Sequence, residues 1–402
     1  MGYSRLAQRH SCLAVCTPGL EPLVADELSS LGVRVGQSIP GGVKYEATTR
    51  QLYVTNLWLR TATRVLVRVA SFDARNFAEL ERRARETEWS RWLGDGTTAT
   101  FRVTATKSRL YHTRAITERL ENACASSLGR PAAQSPSGDD FHQEFVVRVN
   151  HDRVTISVNS SGTSLYKRGW RGPQGKAPLR ETLAAALLLS LGWGGSCALT
   201  DPMCGSGTIA IEAALIARNL APGRMRSFGF SQWPTFEPGT WASATGEAEG
   251  AARDSVTVPI AASDRDQGAV TATAQNAERA GVAADIQISR CSISDTTAPE
   301  GELGGWLVTN PPYGRRASGS EDLRNLYARI GQLAEKNFPS WGVGMLVADP
   351  RAAIHCGLDM QQALRTTNGG IDVRFMVTAP KAGTRPAAGS CAPSRAAPGS
   401  RR

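Results

Sequence analysis

The sequence predicts a doubly wound α/β domain preceded by two smaller α+β units. Three observations carry this prediction. From residue 178 onward, short apolar strand segments alternate with amphipathic helical segments, the pattern of a mostly parallel sheet with helices on its faces. One junction, residues 201–214, reads as a strand, a glycine turn and a helix N-terminus. Charge is also divided: residues 1–176 hold 25 Lys+Arg against 16 Asp+Glu, a net +9, whereas residues 177–379 hold 16 against 20, a net −4. A basic half joined to an acidic half that contains the glycine turn points to a polyanion gripped by the first half.

At 402 residues the chain can bury two or three cores. It contains no apolar run near the ~20 residues a membrane span needs, and its start lacks the basic-then-apolar pattern of a secretory signal. Its eight cysteines are scattered, without paired histidines at zinc spacing. Free thiols in a reducing cytoplasm, no metal and no membrane partner are therefore expected. Arginine outnumbers lysine 40 to 6; high genomic G+C content produces the same bias, so no recognition argument rests on it.

In chain order, the first expected unit (1–72) has a strand at 12–16, a helix at 20–31 with Leu20, Leu23, Val24, Leu28 and Leu31 on one face, a strand at 43–47, a helix at 50–59 and a strand at 64–69. The second (73–171) has a helix at 77–86, a strand at 99–106, a helix at 112–128 and two strands, 144–149 and 153–159. Its loop carries Lys107, Arg109, Tyr111, His112 and Arg114 beside a helix start, a cradle for phosphates; a solvated charged turn is the alternative. Tyr166-Lys167-Arg168-Gly169-Trp170-Arg171 closes the unit with a second basic-aromatic cluster, and residues 172–175 read as a hinge. The third unit (172–379) begins with a helix at 178–191, with proline at N1. Strands follow at 198–201, 258–262, 285–289, 306–309 and 342–347, then a strand pair after Gly370; helices lie at 269–280 and 322–338. Residues 221–256 look like an excursion over the surface. Residues 380–402, with five cations and no acid, are expected to be a disordered basic tail.

Three strand ends should share one sheet edge: residues 201–207, Asp264 and Asn310-Pro311-Pro312-Tyr313-Gly314. Gly205 and Gly207 let a ligand approach the main chain, and the first N–H groups of the following helix face it. Asp201, a carboxylate before that turn, suits a cation such as an α-ammonium and would oppose a pyrophosphate. Asp264 ends its strand as an acid for two ribose hydroxyls. Residues 205–210 also match the dinucleotide pattern G-x-G-x-x-A, but its acid is expected about 20 residues on. Asp264 comes far later in the chain, and a dehydrogenase leaves residues 310–313 unexplained. There the two prolines fix the Asn310 amide and the Pro311 carbonyl as a rigid acceptor pair. Accepting both hydrogens of a planar amine favours the pyramidal form that attacks an electrophile. Tyr313 would stack on the base bearing that amine.

Residues 201–208, Asp264 and Asn310 to Gly314 resemble the motifs of class I RNA methyltransferases. Residues 166–171 with 177–181, and the insertion residues 221–223 and 228–234, are similar to the subgroup with a THUMP domain, the large-subunit ribosomal RNA guanine-N2 methyltransferases. The likeness covers residues 11 to about 378. It implies a ferredoxin-like unit, a THUMP RNA-binding unit and a Rossmann-like domain that uses S-adenosylmethionine. It further implies cofactor contacts from Asp201, Met203, Cys204, Gly205, Gly207, Thr208, Asp264, Arg265, Cys291, Ser292 and Asn310; catalysis by Asn310, Pro311 and Tyr313; and RNA contacts from Lys107, Arg109, Tyr111, His112, Arg114, Lys167, Arg168 and Arg171. One departure stands out: Cys291-Ser292 occupy the place where the family usually has an adenine-contacting acid, with Asp295 four residues past Cys291. Structured RNA, ribosomal RNA above all, is the expected partner. The open alternatives are transfer RNA, another planar nitrogen (adenine N6 or protein glutamine), and a non-catalytic RNA-binding assembly factor.

Overall fold

The computed structural model describes residues 9–131, 142–172, 179–313 and 320–378; the expected basic tail lies outside these residues. The N-terminal half runs β1 (Arg9–Cys16), α1 (Glu21–Ser30), β2 (Arg34–Ile39), β3 (Gly42–Thr48), α2 (Thr49–Trp58), β4 (Ala62–Asp73), α3 (Phe77–Arg85), β5 (Thr98–Thr106), α4 (Thr113–Leu128), β6 (His142–Asn150) and β7 (Arg153–Asn159). All seven strands form one sheet, in the order β2-β3-β1-β4-β7-β6-β5. The two expected N-terminal units thus share a sheet. β4 joins them, pairing with β1 over its first half and with β7 over its second. β2 escaped the sequence reading because it is a polar edge strand with an irregular register against β3, so no apolar alternation marks it.

The C-terminal half runs α5 (Glu181–Ser190), β8 (Ala198–Asp201), α6 (Thr208–Ala217), α7 (Pro238–Gly250), β9 (Ile260–Asp264), α8 (Gln267–Arg279), β10 (Gln287–Arg290), β11 (Gly305–Thr309), α9 (Ser320–Asn337), β12 (Gly342–Val347), β13 (Met360–Asn368) and β14 (Ile371–Thr378). Its sheet order is β10-β9-β8-β11-β12-β14-β13, parallel from β10 through β12 and antiparallel at β14 and β13. β8, β11 and β12 are buried at every residue, which is why they read as continuous apolar runs rather than alternating ones. β13 and β14 straddle Gly369-Gly370 instead of both following it. Both glycines have positive φ (+58° and +85°), the requirement of a two-residue type I′ hairpin. Pro178 lies outside the described residues, and α5 itself starts at Glu181.

The first part of the expected surface excursion, residues 228–233, is instead a wedge between the halves, while its second part forms α7 and stays largely exposed. Phe228, Phe230 and Trp233 are buried. Phe230 stacks on Tyr53 of α2 at 4.4 Å between ring centroids, and Trp233 meets Trp92 edge-on at 4.7 Å while its Nε1–H donates to Gln143 Oε1 at 2.7 Å. The sequence showed a Pro/Gly/Ser-rich segment; the apolar surface waiting for its aromatics belongs to another part of the chain.

The segment after β7 is also fixed. Arg168 is 2% exposed and its Nε–H donates to Glu212 Oε1 on α6 at 3.1 Å, with Glu212 fully buried. Nη1 and Nη2 of Arg168 donate to the carbonyls of Leu165 and Arg60, at 3.0 and 2.6 Å. The expectation that Arg168 contacts RNA is therefore wrong, because its guanidinium is enclosed and engaged within the protein. Breaking a buried pair leaves an uncompensated charge, so Arg168→Met or Glu212→Gln is expected to lower the unfolding free energy by about 3–5 kcal/mol in urea titration. The double replacement Arg168→Met with Glu212→Leu should lose much less. Equal losses in single and double variants would move the stabilisation from the charge pair to packing.

Candidate active site

The glycine turn has the conformation its residues dictate. Gly207 caps α6 at φ +81°, and a Cβ there would lie 2.6 Å from Thr273 Cγ2, so no other residue fits without displacing α8. At Gly205, φ +55°, a Cβ would meet nothing within 4 Å; the loop faces open space on that side. The loop is tied down from behind: Cys204 N–H donates to Ser263 O at 2.9 Å, Thr273 Oγ1 donates to Gly205 O at 2.9 Å, and Asn276 Nδ2 donates to Ser206 O at 2.9 Å. Cys204 and Thr208 are buried, with Cys204 Sγ 3.5 Å from Thr273 Oγ1.

The strand ends converge as expected. β8 lies between β9 and β11, so Asp201, Asp264 and Asn310 stand at one carboxyl edge. Asp264 accepts Gly205 N–H on Oδ2 and Asp266 N–H on Oδ1, both at 3.0 Å, which leaves each oxygen a lone pair for one hydroxyl of a diol. Asp201 is 1% exposed and accepts Met203 N–H at 3.2 Å; burial, outweighing that hydrogen bond, pushes its carboxyl up to about 7. Cys291 N–H donates to Asp264 O at 3.1 Å, which brings Cys291-Ser292 to the same edge. Asp295 is exposed and accepts from Ser292 Oγ at 2.7 Å, so the acid that follows Cys291 is held beside Ser292. Arg265 is exposed next to Asp264.

Asn310 follows β11 with a buried Oδ1 that has no hydrogen-bond partner among the described residues. An enclosed carboxamide oxygen without a donor costs stability, and a ligand hydrogen would restore the bond. Pro311 is buried, and Tyr313, 9% exposed, accepts from Asn368 Nδ2 at 2.7 Å on its hydroxyl. Gly314 lies outside the described residues. Tyr313 lines a cavity of about 740 Å³, together with Arg171, Arg180, Glu181, Asn368 and Ile371. Met225 and Ile371, both exposed apolar residues, also line it.

Arg171 sits in the site rather than among RNA contacts. Its Nε–H donates to Glu181 Oε1 at 2.6 Å, Nη2 to Thr208 Oγ1 at 2.8 Å and to Leu179 O at 3.0 Å, and Nη1 to Ser206 Oγ at 3.3 Å. It braces the glycine loop, a role that the local basic-aromatic pattern concealed. Thr273, Asn276 and Asn368 were missed because each acts through a partner more than 50 residues away, and Glu181, included only within the segment 177–181, was not read as the partner of Arg171. Lys167 is exposed near the cavity. Lys107, Arg109, His112 and Arg114 cluster instead beyond the end of β5, in the other sheet. Tyr111 there is 65% exposed with its ring 4.0 Å from that of His112, and α4 begins without a side-chain cap.

Residues 168–373 match the family described as RMKL-like, methyltransferase domain, and residues 11–66 match the RlmL ferredoxin-like domain. The chain belongs to the RMKL-like methyltransferase family. One curated relative, the ribosomal RNA large subunit methyltransferase K/L of Syntrophotalea carbinolica, is 34% identical over 376 residues, covering 90% of this chain and 52% of the relative. The slr0064 protein of Synechocystis sp., which carries an RNA methyltransferase name, is 32% identical over 362 residues, or 89% of this chain and 94% of that one. The chain thus spans about half the length of the K/L relatives. Among solved structures, SMU.472 in complex with SAH superposes with a TM-score of 0.83 at 27% identity, covering 93% of this chain and 99% of that one. A protein from Listeria monocytogenes described as an N6-adenine-specific DNA methylase gives 0.82 at 31% identity over 92% and 96%. The RMKL-like domain is a class I methyltransferase fold with S-adenosylmethionine as its cofactor, and the open loop, the spare lone pairs of Asp264 and the buried Asp201 carboxyl fit that group. No helix among the described residues is long and apolar enough to cross a membrane, and no cluster of potential metal ligands occurs among them.

Two outcomes follow from this geometry. Asp264→Ala is expected to weaken S-adenosylmethionine binding about 10-fold or more in calorimetry, since charge-assisted hydrogen bonds are worth roughly 1.5–3 kcal/mol each; unchanged affinity would place the ribose contact elsewhere. Below pH 7 the Asp201 carboxyl holds its proton, and an arriving α-ammonium favours the carboxylate, so binding there should expel a proton. Affinity should fall as pH drops below 7, reaching ~10-fold weaker at pH 6 than on the plateau near pH 8, and Asp201→Asn should flatten the profile. A flat wild-type profile would confine Asp201 to holding Met203 N–H.

Proposed function

We propose that the chain transfers the methyl group of S-adenosylmethionine to the exocyclic N2 of a guanine in structured RNA, with large-subunit ribosomal RNA as the preferred substrate. The observation that carries this reading is Asn310 Oδ1, a buried acceptor without a partner among the described residues, at the sheet edge that also bears Asp201 and Asp264. Residues 73–171 act in this reading as a THUMP-type RNA-binding unit, its contacts led by Lys107, Arg109, Tyr111, His112 and Arg114, with Lys167 nearer the cavity. The likeness to K/L enzymes extends through the N-terminal half and supports RNA over DNA or protein.

When bound, S-adenosylmethionine supplies a methyl on a sulfonium that is already electrophilic. Asp264 would hold the ribose hydroxyls and Asp201 would receive the α-ammonium, while the open side of the loop at Gly205 leaves room for the rest of the molecule. Cys291 and Ser292 border the adenine side, where a polar hydroxyl and a thiol replace an acid. At the target, Asn310 Oδ1 and the Pro311 carbonyl each accept one amine hydrogen, which draws the nitrogen lone pair out of ring conjugation. The nitrogen gives up one of these protons to solvent once its new bond has formed. Tyr313 packs against the base, its hydroxyl fixed by Asn368.

Asn310→Ala is expected to cut single-turnover methyl transfer about 100- to 1000-fold, roughly 2.7–4 kcal/mol, with RNA affinity nearly unchanged. Tyr313→Ala should instead weaken capture of the base, as stacking is worth about 1–3 kcal/mol. An Asn310→Ala enzyme retaining more than about a tenth of the wild-type rate contradicts the assigned role. Nucleoside mass spectrometry of the methylated RNA separates N2-methylguanine from N6-methyladenine, the product that the Listeria neighbour's description favours.

A further inference from the structure

A cavity of about 500 Å³ lies in the N-terminal half, and none of its lining residues belongs to the active site. It opens where the described pairing of β1 with β4 ends at Val67. Its walls come from the start of β1, the second half of β4 and the segment after α3. The register of β4 against β7 shifts between Arg68 and Ala70, so Val69 sits at a bulge; such irregularities re-aim side chains, and Arg68, Val69 and Ala70 all line the cavity in succession.

Two polar groups in this cavity lack partners. Arg68 Nε is enclosed and makes no hydrogen bond among the described residues, and no carboxylate pairs with its guanidinium there. Thr87 is 7% exposed, and its enclosed Oγ1 also makes no hydrogen bond. The acids of the lining are already taken: Glu86 pairs with Arg82 and Arg83 at 3.1 and 3.2 Å, and Glu88 pairs with Arg91 at 3.2 Å. Burial, and after it the charges of Arg153 and Arg148, lower the Arg68 pKa, so its surroundings hold an excess of positive charge. Arg9 adds to the cationic lining, His10 is buried there with burial and then Arg91 lowering its pKa, and Phe72 and Trp92 supply apolar wall.

An uncompensated guanidinium N–H and an unbonded hydroxyl, both enclosed, cost stability until an acceptor arrives. A phosphate offers several acceptor oxygens and the charge that Arg68 lacks. The apolar wall suits the attached sugar and base better than it suits a bare inorganic ion. We propose that this cavity seats a phosphate group of the RNA substrate, held by Arg68 and Thr87. The inference rests on the RNA reading given above and adds a contact outside both basic-aromatic clusters.

The test uses the full chain, a large-subunit ribosomal RNA transcript and the variants Arg68→Gln, Arg68→Lys and Thr87→Val. For Arg68→Gln, RNA affinity should fall about 10-fold. The log-log salt slope should become shallower by about 0.7–0.9, the signature of one lost phosphate contact. S-adenosylmethionine affinity should hold and the melting temperature should stay level or rise, because a half-buried cation with an unbonded Nε has been removed. Arg68→Lys should recover the salt slope, and Thr87→Val should weaken binding less than Arg68→Gln. Inorganic phosphate should compete with RNA for the wild type more strongly than for Arg68→Gln. Wild-type RNA binding with an unchanged Arg68→Gln affinity and slope overturns this inference alone; a wild type that binds no RNA overturns it together with the RNA reading. A melting temperature several degrees lower in Arg68→Gln would make Arg68 structural and overturn the proposal. Phosphate that stabilises the wild type without displacing RNA would assign the cavity to free phosphate and likewise overturn it.

Discussion

The buried Arg168–Glu212 pair is the contact on which the two halves depend. Glu212 lies on α6, the helix that the glycine loop opens, and Arg168 lies on the segment leaving β7. Because both are enclosed, neither charge has water as an alternative, and the geometry between the N-terminal sheet and the loop helix is tightly specified. The next residues extend the hold. Trp170 O accepts Arg279 Nε at 2.8 Å, Arg171 braces Ser206 and Thr208, and Gly172 N–H donates to Asn276 Oδ1 at 3.2 Å. A strap of five residues thus touches α6, the glycine loop and α8. From the other side, Glu27 accepts the N–H groups of Arg60 and Thr61 at 2.6 and 3.1 Å, and Arg60 Nη2 reaches Leu220 O at 2.8 Å. The N-terminal half is therefore built into the support of the cofactor loop.

Rigid support permits polar groups to be left unsatisfied where a ligand is to bind. Asn310 Oδ1 is held between a buried strand and two prolines, and Asp201 is desolvated beneath the loop, yet neither has rearranged toward a protein donor that would fully satisfy it. Arg68 on β4 and Thr87 after α3 repeat the pattern in the N-terminal half. These groups contrast with Arg168 and Arg171, whose donors are all directed at protein acceptors. The distinction between a cation that builds the fold and one that awaits an anion is a matter of partners, and composition is blind to it.

The contact between the β13–β14 hairpin and the N-terminal turn has the same logic. Thr366 Oγ1 donates to Pro18 O at 2.8 Å, and a Cβ at Gly19 would lie 1.9 Å from Arg365 O. Asn368, two residues beyond Thr366, holds the Tyr313 hydroxyl. The tyrosine assigned to the target base is thereby linked through one short hairpin to the ferredoxin-like part of the chain.

The sequence by itself determined what depends on local physics. Apolar periodicity placed most strands and helices, though not β2, α7 or β13, closely spaced glycines marked the loop at 205–207, and consecutive prolines marked a rigid acceptor after β11. The order of strands and helices was enough to bring Asp201, Asp264 and Asn310 to one edge, because parallel connections of this kind leave few topologies. Only the tertiary structure decided which side chains face one another across long separations. It enclosed Arg168 against Glu212, turned Arg171 to the glycine loop, drew the aromatics of residues 228–233 between the halves and merged the two N-terminal units into one sheet through β4. The polar edge strand β2 was invisible because it buries no apolar face. Cations of identical local appearance took opposite roles because burial and partner choice are set elsewhere in the chain: Arg168 meets Glu212, 44 residues on, and Arg171 meets Thr208, 37 residues on.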